Sequence, residues 1–225
     1  MVGGARLTGG GSGADDSIFF VGAQASFKGL MFTNSNSEHA IYQRDSGGNG
    51  YIERCIFDSI LYPISINNSG GTSGMFNVAH ATISNAIHGV SINDGGTISV
   101  VNSILANVTN AYVIHNGILI SPSHNLLFNV GQVGSGSPID VDPAQLFGDP
   151  LFVNSSTLDF RLSPGSLAID SGLNIGLPFS GLGPDRGVFE FNAVPEPNVF
   201  AILFCALVHA FSIRRGRGNV PDELS

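Results

Sequence analysis

A chain of 225 residues with formal net charge −8 and a single lysine, Lys28, argues against nucleic acid as a partner, since a phosphate backbone is met by a surplus of clustered Lys and Arg. Only 12% of the residues are charged, 43% are hydrophobic, 30 are glycine and none is tryptophan; this balance argues against a disordered chain and for a turn-rich β architecture. The two cysteines, Cys55 in a β pattern and Cys205 in an apolar tail, provide neither a disulfide framework nor a thiolate metal site.

Residues 1–16 form a glycine-rich stub without an apolar h-region, so the start is not a secretory signal. We expect further coils upstream of it. Gly10-Gly11-Ser12-Gly13-Ala14-Asp15 fits the first six positions of a Ca²⁺-binding nonapeptide, GGxGxD. It occurs once, with Ser17 where a large apolar residue should follow, and reads as a turn. No metal site and no cofactor are assigned, Ca²⁺ being the one ion the acidic turns suggest.

Residues 17–130 carry an internal repeat. The segments GLMFTN, RCIFDS, HATISN, NSILAN and HNLLFN end at Asn34, Ser59, Asn85, Asn107 and Asn129. Two positions before each end stand Phe32, Phe57, Ile83, Leu105 and Leu127; two further back stand Leu30, Cys55, Ala81, Ser103 and Asn125. That is the period of strands with one face inward. A second column, Tyr42, Ile66, Ile92 and Ile114, is preceded two residues earlier by Ala40, Ile64, Val90 and Tyr112. Two columns advancing together at a fixed period, with Gly, Asn and Asp between them, predict a solenoid. Coils 22–26 residues long follow from the spacing of the segment ends.

This pattern resembles the right-handed parallel β-helix of the pectate-lyase-like superfamily. The fold class expected is all-β, a right-handed parallel β-helix of about five or more coils, plus a short C-terminal apolar helix. Asn34, Asn85, Asn107 and Asn129 then form a structural amide ladder. Five residues before each coil end sit Gly29, Arg54, His80, Asn102 and His124. Their parity predicts an outward wall, and Arg54, His80, Asn102 and His124 are the candidate residues for gripping a sugar polymer. No catalytic residue is assigned. Asp45 and Asp94 both lie in turns but two coils apart, so about 10 Å or more separates them, and no carboxylate pair meets the geometry of retaining glycoside hydrolysis.

Residues 131–193 contain Gly148-Asp149-Pro150-Leu151-Phe152, Leu158-Asp159-Phe160-Arg161-Leu162, Ala168-Ile169-Asp170-Ser171-Gly172 and Pro184-Asp185-Arg186-Gly187. The series is similar to the terminal segment of exported bacterial β-helix proteins that carry a surface-anchor signal. The resemblance implies a closing coil and a C-terminal cover. Asp149, Asp159, Asp170, Asp185 and Glu190 are expected to accept backbone N–H bonds and to pair with Arg161 and Arg186.

Residues 194–217 run Val194-Pro195-Glu196-Pro197, an uncharged apolar stretch from Val199 to Ile213, then Arg214-Arg215-Gly216-Arg217. The order resembles the PEP-CTERM sorting signal, although His209 interrupts the apolar run and 218–225 add a polar extension. The resemblance implies export, membrane association through the tail, an exosortase-type sorting enzyme as partner, and a cell-surface or extracellular location linked to polysaccharide. The functional expectation is a non-catalytic structural or glycan-associated module. The readings left open are the C-terminal fragment of a polysaccharide lyase or glycoside hydrolase, and an adhesin-like protein–protein module.

Overall fold

A computed structural model describes residues 6–7, 17–21, 24–33, 38–44, 48–68, 74–140 and 142–192. The chain divides after Phe191. In the second unit only Asn192 is described, so the sorting-signal residues Val194 to Arg217, Cys205 and the expected apolar helix lie outside the described residues, as do Asn34 and the Gly10–Asp15 turn.

The first unit contains a parallel β-solenoid of about five turns. Each coil has three faces. The first is built from Met31–Thr33, Ile56–Asp58 and the starts of the long strands Thr82–Asp94, Ile104–Ile114 and Leu126–Gly136. The second comprises Ser17–Val21, His39–Arg44, Tyr62–Asn67 and the far halves of those long strands. The third is a separate five-stranded sheet of Ala25–Lys28, Gly50–Glu53, Met75–Ala79, Thr97–Val101 and Ile118–Ser123. This third face is absent from the two-column reading of the sequence, because its inward positions (Phe27, Ile52, Val78, Val100) sit beside irregular turns.

The first column stacks as the repeat predicts: Phe32 pairs Phe57, Phe57 pairs Ile83, Ile83 pairs Leu105 and Leu105 pairs Leu127. Every one of these side chains is buried, and the Phe32 and Phe57 rings stack with centroids 4.9 Å apart. The second column holds from Ile66 through Ile92 to Ile114 but slips by one residue in its first coil. Gln43, not Tyr42, pairs Ile66, and Ile41, not Ala40, pairs Ile64. Gln43 turns inward because its Nε2 donates to the carbonyl of Gly48 at 2.6 Å, while Tyr42 goes to the outer row, where its hydroxyl accepts from Asn67 Nδ2 at 2.9 Å. Polarity alone misassigns the pair.

Both corners flanking the first face are left-handed. At one, Ser59, Asn85, Asn107 and Asn129 have φ between 49° and 58°. Asn tolerates this region because its short amide bonds locally. The amide ladder forms there: Asn129 Nδ2 donates to Asn107 Oδ1 at 2.9 Å, Asn107 Nδ2 to Asn85 Oδ1 at 3.2 Å, and Asn85 Nδ2 to Asp58 Oδ1 at 2.8 Å. At the other corner Gly29, Arg54, His80, Asn102 and His124 have φ between 52° and 65°.

The terminal segment departs from a simple end cover. Leu146–Phe147 does pair with the last long strand as a partial coil. Beyond it the chain turns back along the first face. Leu162 and Ala168 pack on Ile104, Ala106 and Leu126; Phe160 and Val188 pack on Ile56. Val188 N donates to Thr82 Oγ1 at 3.2 Å and Gly187 N to the carbonyl of Asn102 at 2.7 Å. The outer side of this face is therefore apolar at Ile56, Ile104 and Leu126 because a flank of chain covers it.

Candidate functional site

Arg54, His80, Asn102 and His124 occupy equivalent corners of successive coils, as their spacing implies, but they do not form an open wall. His80 is 1% exposed and Asn102 fully buried. The returning segment lies on them. Asn102 holds the Leu173 backbone from both sides, its Nδ2 donating to the carbonyl at 2.7 Å and its Oδ1 accepting from the N–H at 2.7 Å. His80 Nδ1 bonds the Asp185 carbonyl at 3.0 Å and its Nε2 faces Asn102 Nδ2 at 3.1 Å. These partners assign the proton to Nδ1 and leave Nε2 as the acceptor. Burial, then the Arg54 charge, holds the His80 pKa below its ordinary value, so the ring is neutral. Arg54 Nη2 donates to the Pro178 carbonyl at 2.5 Å and lies 3.6 Å from Glu190 Oε1. His124 stands at the far end of the row, half-buried, its Nδ1 2.6 Å from Ser123 Oγ. Three of the four residues thus fasten chain to chain. A signal for this was present in the sequence: Gly29 and Asn102 share the column, and both residue types mark left-handed corners.

The carboxylates are occupied in the same way. Asp149 Oδ1 accepts from Leu151 N at 2.8 Å, and Asp170 Oδ1 from Leu182 N at 2.7 Å and Gly183 N at 3.1 Å. Asp185 accepts from Asp170 N at 2.7 Å and from Phe191 N. Burial raises the Asp185 and Glu190 pKa values. Arg161 pairs with Asp159 at 2.5 Å as expected. Among the described residues Arg186 has no carboxylate within ion-pair distance. It is 3% exposed and donates to the carbonyls of Ser171, Asn125 and Ala144, tying the returning segment to the last coils. Withdrawal from water lowers its pKa to about 10.

A cavity of about 530 Å³ opens between the first face and the terminal segment, lined among others by Ser84, Asn107, Phe128, Asp149 and Ser163. Asp149 is the one carboxylate in it, and acid–base hydrolysis of a glycoside takes two. Among the described residues no group of three or more His, Cys, Asp or Glu is arranged to hold a metal ion. Burial pushes the Cys55 thiol up to about 11, which makes it a poor nucleophile.

A different row, half-buried at His39, Tyr62, His88 and Asn110 and exposed at Gln132, lies at the start of the second face. His39 pairs Tyr62, His88 pairs Asn110 and Asn110 pairs Gln132. The rings of His39 and Tyr62 lie 5.4 Å apart and those of Tyr62 and His88 4.8 Å apart, while His39 also stacks on Tyr42 at 4.6 Å. His39 Nδ1 is 3.0 Å from Ser65 Oγ, which is 2.7 Å from Ser91 Oγ, so a hydrogen-bonded pair of serines fixes the His39 ring. Sequence reasoning missed this row because no one residue type recurs in every coil; its members share only an offset from the second column.

In comparisons with known proteins, no family model and no curated sequence matches the chain. The site is therefore read from its own geometry. Tilted rings followed by amides, one per coil at the spacing of parallel strands, offer ring surface and hydrogen-bonding groups at about 4.8 Å intervals.

Proposed function

We propose that the chain is an exported, cell-surface or extracellular-matrix β-solenoid that acts without catalysis as a glycan-associated structural module. One observation carries the reading: the partly exposed row of His39, Tyr62, His88, Asn110 and Gln132 repeats once per coil. Pyranose rings in an extended polymer advance by a similar distance and present apolar C–H faces edged with hydroxyls. Ring surface and amide groups complement those two features. The row thus takes over the role first expected of Arg54, His80, Asn102 and His124. In the same reading the tail from Val194 to Arg217 is a sorting signal resembling PEP-CTERM, handled by an exosortase-type enzyme.

The test is retention of the full chain on immobilised neutral and acidic polysaccharides, with Ca²⁺ or with chelator, scored together with release of reducing or unsaturated ends. Retention without cleavage, lost on combining Tyr62→Ala with His88→Ala, is the expected result. Cleavage, or retention indifferent to these substitutions, refutes the proposal.

A further inference from the structure

Among the described residues, most of the exposed large hydrophobic side chains fall between Phe147 and Leu182, from the partial coil through the segment that returns along the solenoid. They are densest from Ser171 to Pro184, fourteen residues without a charge. There Leu173, Ile175 and Phe179 are about two-fifths exposed, and Leu182, at a turn beside Gly181, is 96% exposed. Isolated exposed leucines are ordinary, but four large apolar side chains on one uncharged loop form a patch of the kind that marks an interface.

The backbone of the loop points to the kind of interface. Its base is bound inward, while the N–H groups of Asn174, Ile175, Leu177, Phe179 and Gly181 have no partner among the described residues and need water, which places the loop at the hydrated interfacial level and not in the hydrocarbon core. Gly172 N donates to the Pro184 carbonyl, Leu173 N to Asn102 Oδ1, Gly176 N to Asn174 Oδ1, Ser180 N to Glu190 Oε2, and Leu182 N and Gly183 N to Asp170 Oδ1. The adjoining carboxylates of Asp170 and Glu190 are turned onto these amides, and Glu190 is also within 3.6 Å of Arg54. The loop's bound amides face the solenoid, and outward it exposes Leu173, Ile175, Phe179 and Leu182 beside the uncharged Asn174 and Ser180.

Chain connectivity supplies the second argument. The described chain leaves the solenoid at Phe191, whose N–H is bound by Asp185 just after the loop. The sequence places the uncharged run Val199 to Ile213 eight residues further on, a span of at most about 28 Å. If that run enters a bilayer, the loop is held within reach of the same bilayer.

We propose that the Leu173–Leu182 loop is a membrane-docking surface, seating Ile175, Phe179 and Leu182 in the interfacial region of a lipid bilayer. This rests on the reading of the tail as membrane-associated. The loop carries no charge, so neutral zwitterionic lipid suffices and anionic lipid is not required.

The chain contains no tryptophan, so a single introduced indole reports its own surroundings. Leu182→Trp, and separately Tyr51→Trp on the third face, are made in the full chain and mixed with phosphatidylcholine vesicles, with and without brominated acyl chains. The expected result is that both proteins float with the vesicles, but only Leu182→Trp shifts its emission to the blue and is quenched by bromine. Flotation with Leu182→Trp as solvent-exposed as Tyr51→Trp overturns the docking surface and leaves the tail reading standing. Absence of flotation overturns both. A concentration-dependent blue shift without vesicles overturns the proposal in favour of a second copy of the chain.

Discussion

Asn125 Oδ1 accepts a hydrogen bond at 2.8 Å from the backbone N–H of Ser103, one coil back. The relationship repeats on either side. Ser103 Oγ accepts from Ala81 N at 3.1 Å, and Gln145 Oε1 accepts from Asn125 N at 2.9 Å. Next to each left-handed corner the ladder leaves an inward amide, and the side chain of the following coil satisfies it. The series ends at Gln145, whose Nε2 also donates to the Pro122 carbonyl at 3.0 Å and so stands in for the backbone of a further coil.

Asn125 is fully buried and also donates to the Val100 carbonyl at 3.0 Å and the Tyr112 hydroxyl at 3.2 Å. Asn125→Ala leaves all three partners short of a bond and costs about 2 to 4 kcal/mol. Urea denaturation should show a lower midpoint with an unchanged slope. An unchanged midpoint would show that water replaces the amide.

The outer amide ladder is exposed and contributes less. Asn107 both donates and accepts in it at φ 56°. Asn107→Ala should cost about 1 kcal/mol, and Asn107→Gly less, since glycine adopts the left-handed corner freely. If both variants lose equally, the ladder bonds matter and the backbone conformation does not.

Stability should fall on mild acidification, and His80 identifies the cause. Its folded pKa is depressed below 6.5, first by burial and then by Arg54. The unfolded chain takes up a proton near 6.5 that the folded chain refuses, so stability is lost as pH falls from that value toward the folded pKa. His88, depressed by burial and by His115 and His39, adds in the same direction. Asp185 and Glu190 oppose it: their raised folded pKa values return stability as pH falls through them. The melting temperature should therefore drop between about pH 7 and pH 5.5, and the drop should shrink in His80→Gln. Equal drops in both proteins would remove His80 from the account.

Gly187 sits at φ 90° where the returning segment meets the first face. A Cβ there would lie 2.6 Å from Ile104 Cδ1 and 3.0 Å from Thr82 Oγ1. Gly187→Ala should cost about 1 to 3 kcal/mol and loosen the flank before the coils. Limited proteolysis should cut between Ser171 and Pro184 in the variant while the coils stay protected. Cleavage spread over the coils would instead mean that flank and solenoid melt together.

The coil repeat, the inward column from Phe32 to Leu127 and the asparagine corner were all legible in the sequence, because strand alternation and the spacing of left-handed residues are local properties that recur with each turn. The slip that places Gln43 and not Tyr42 opposite Ile66 was not, since it depends on which side chain reaches the Gly48 carbonyl. Nor was the fate of His80 and Asn102. Their outward parity is a local fact, but their burial depends on Asp185 and Leu173, which stand 105 and 71 residues further along the chain. Apolar and polar periodicity show which side of a strand a residue faces. What covers that side is decided by long-range packing, which here buried His80 and Asn102 from the expected binding row and left His39, Tyr62 and His88 partly exposed.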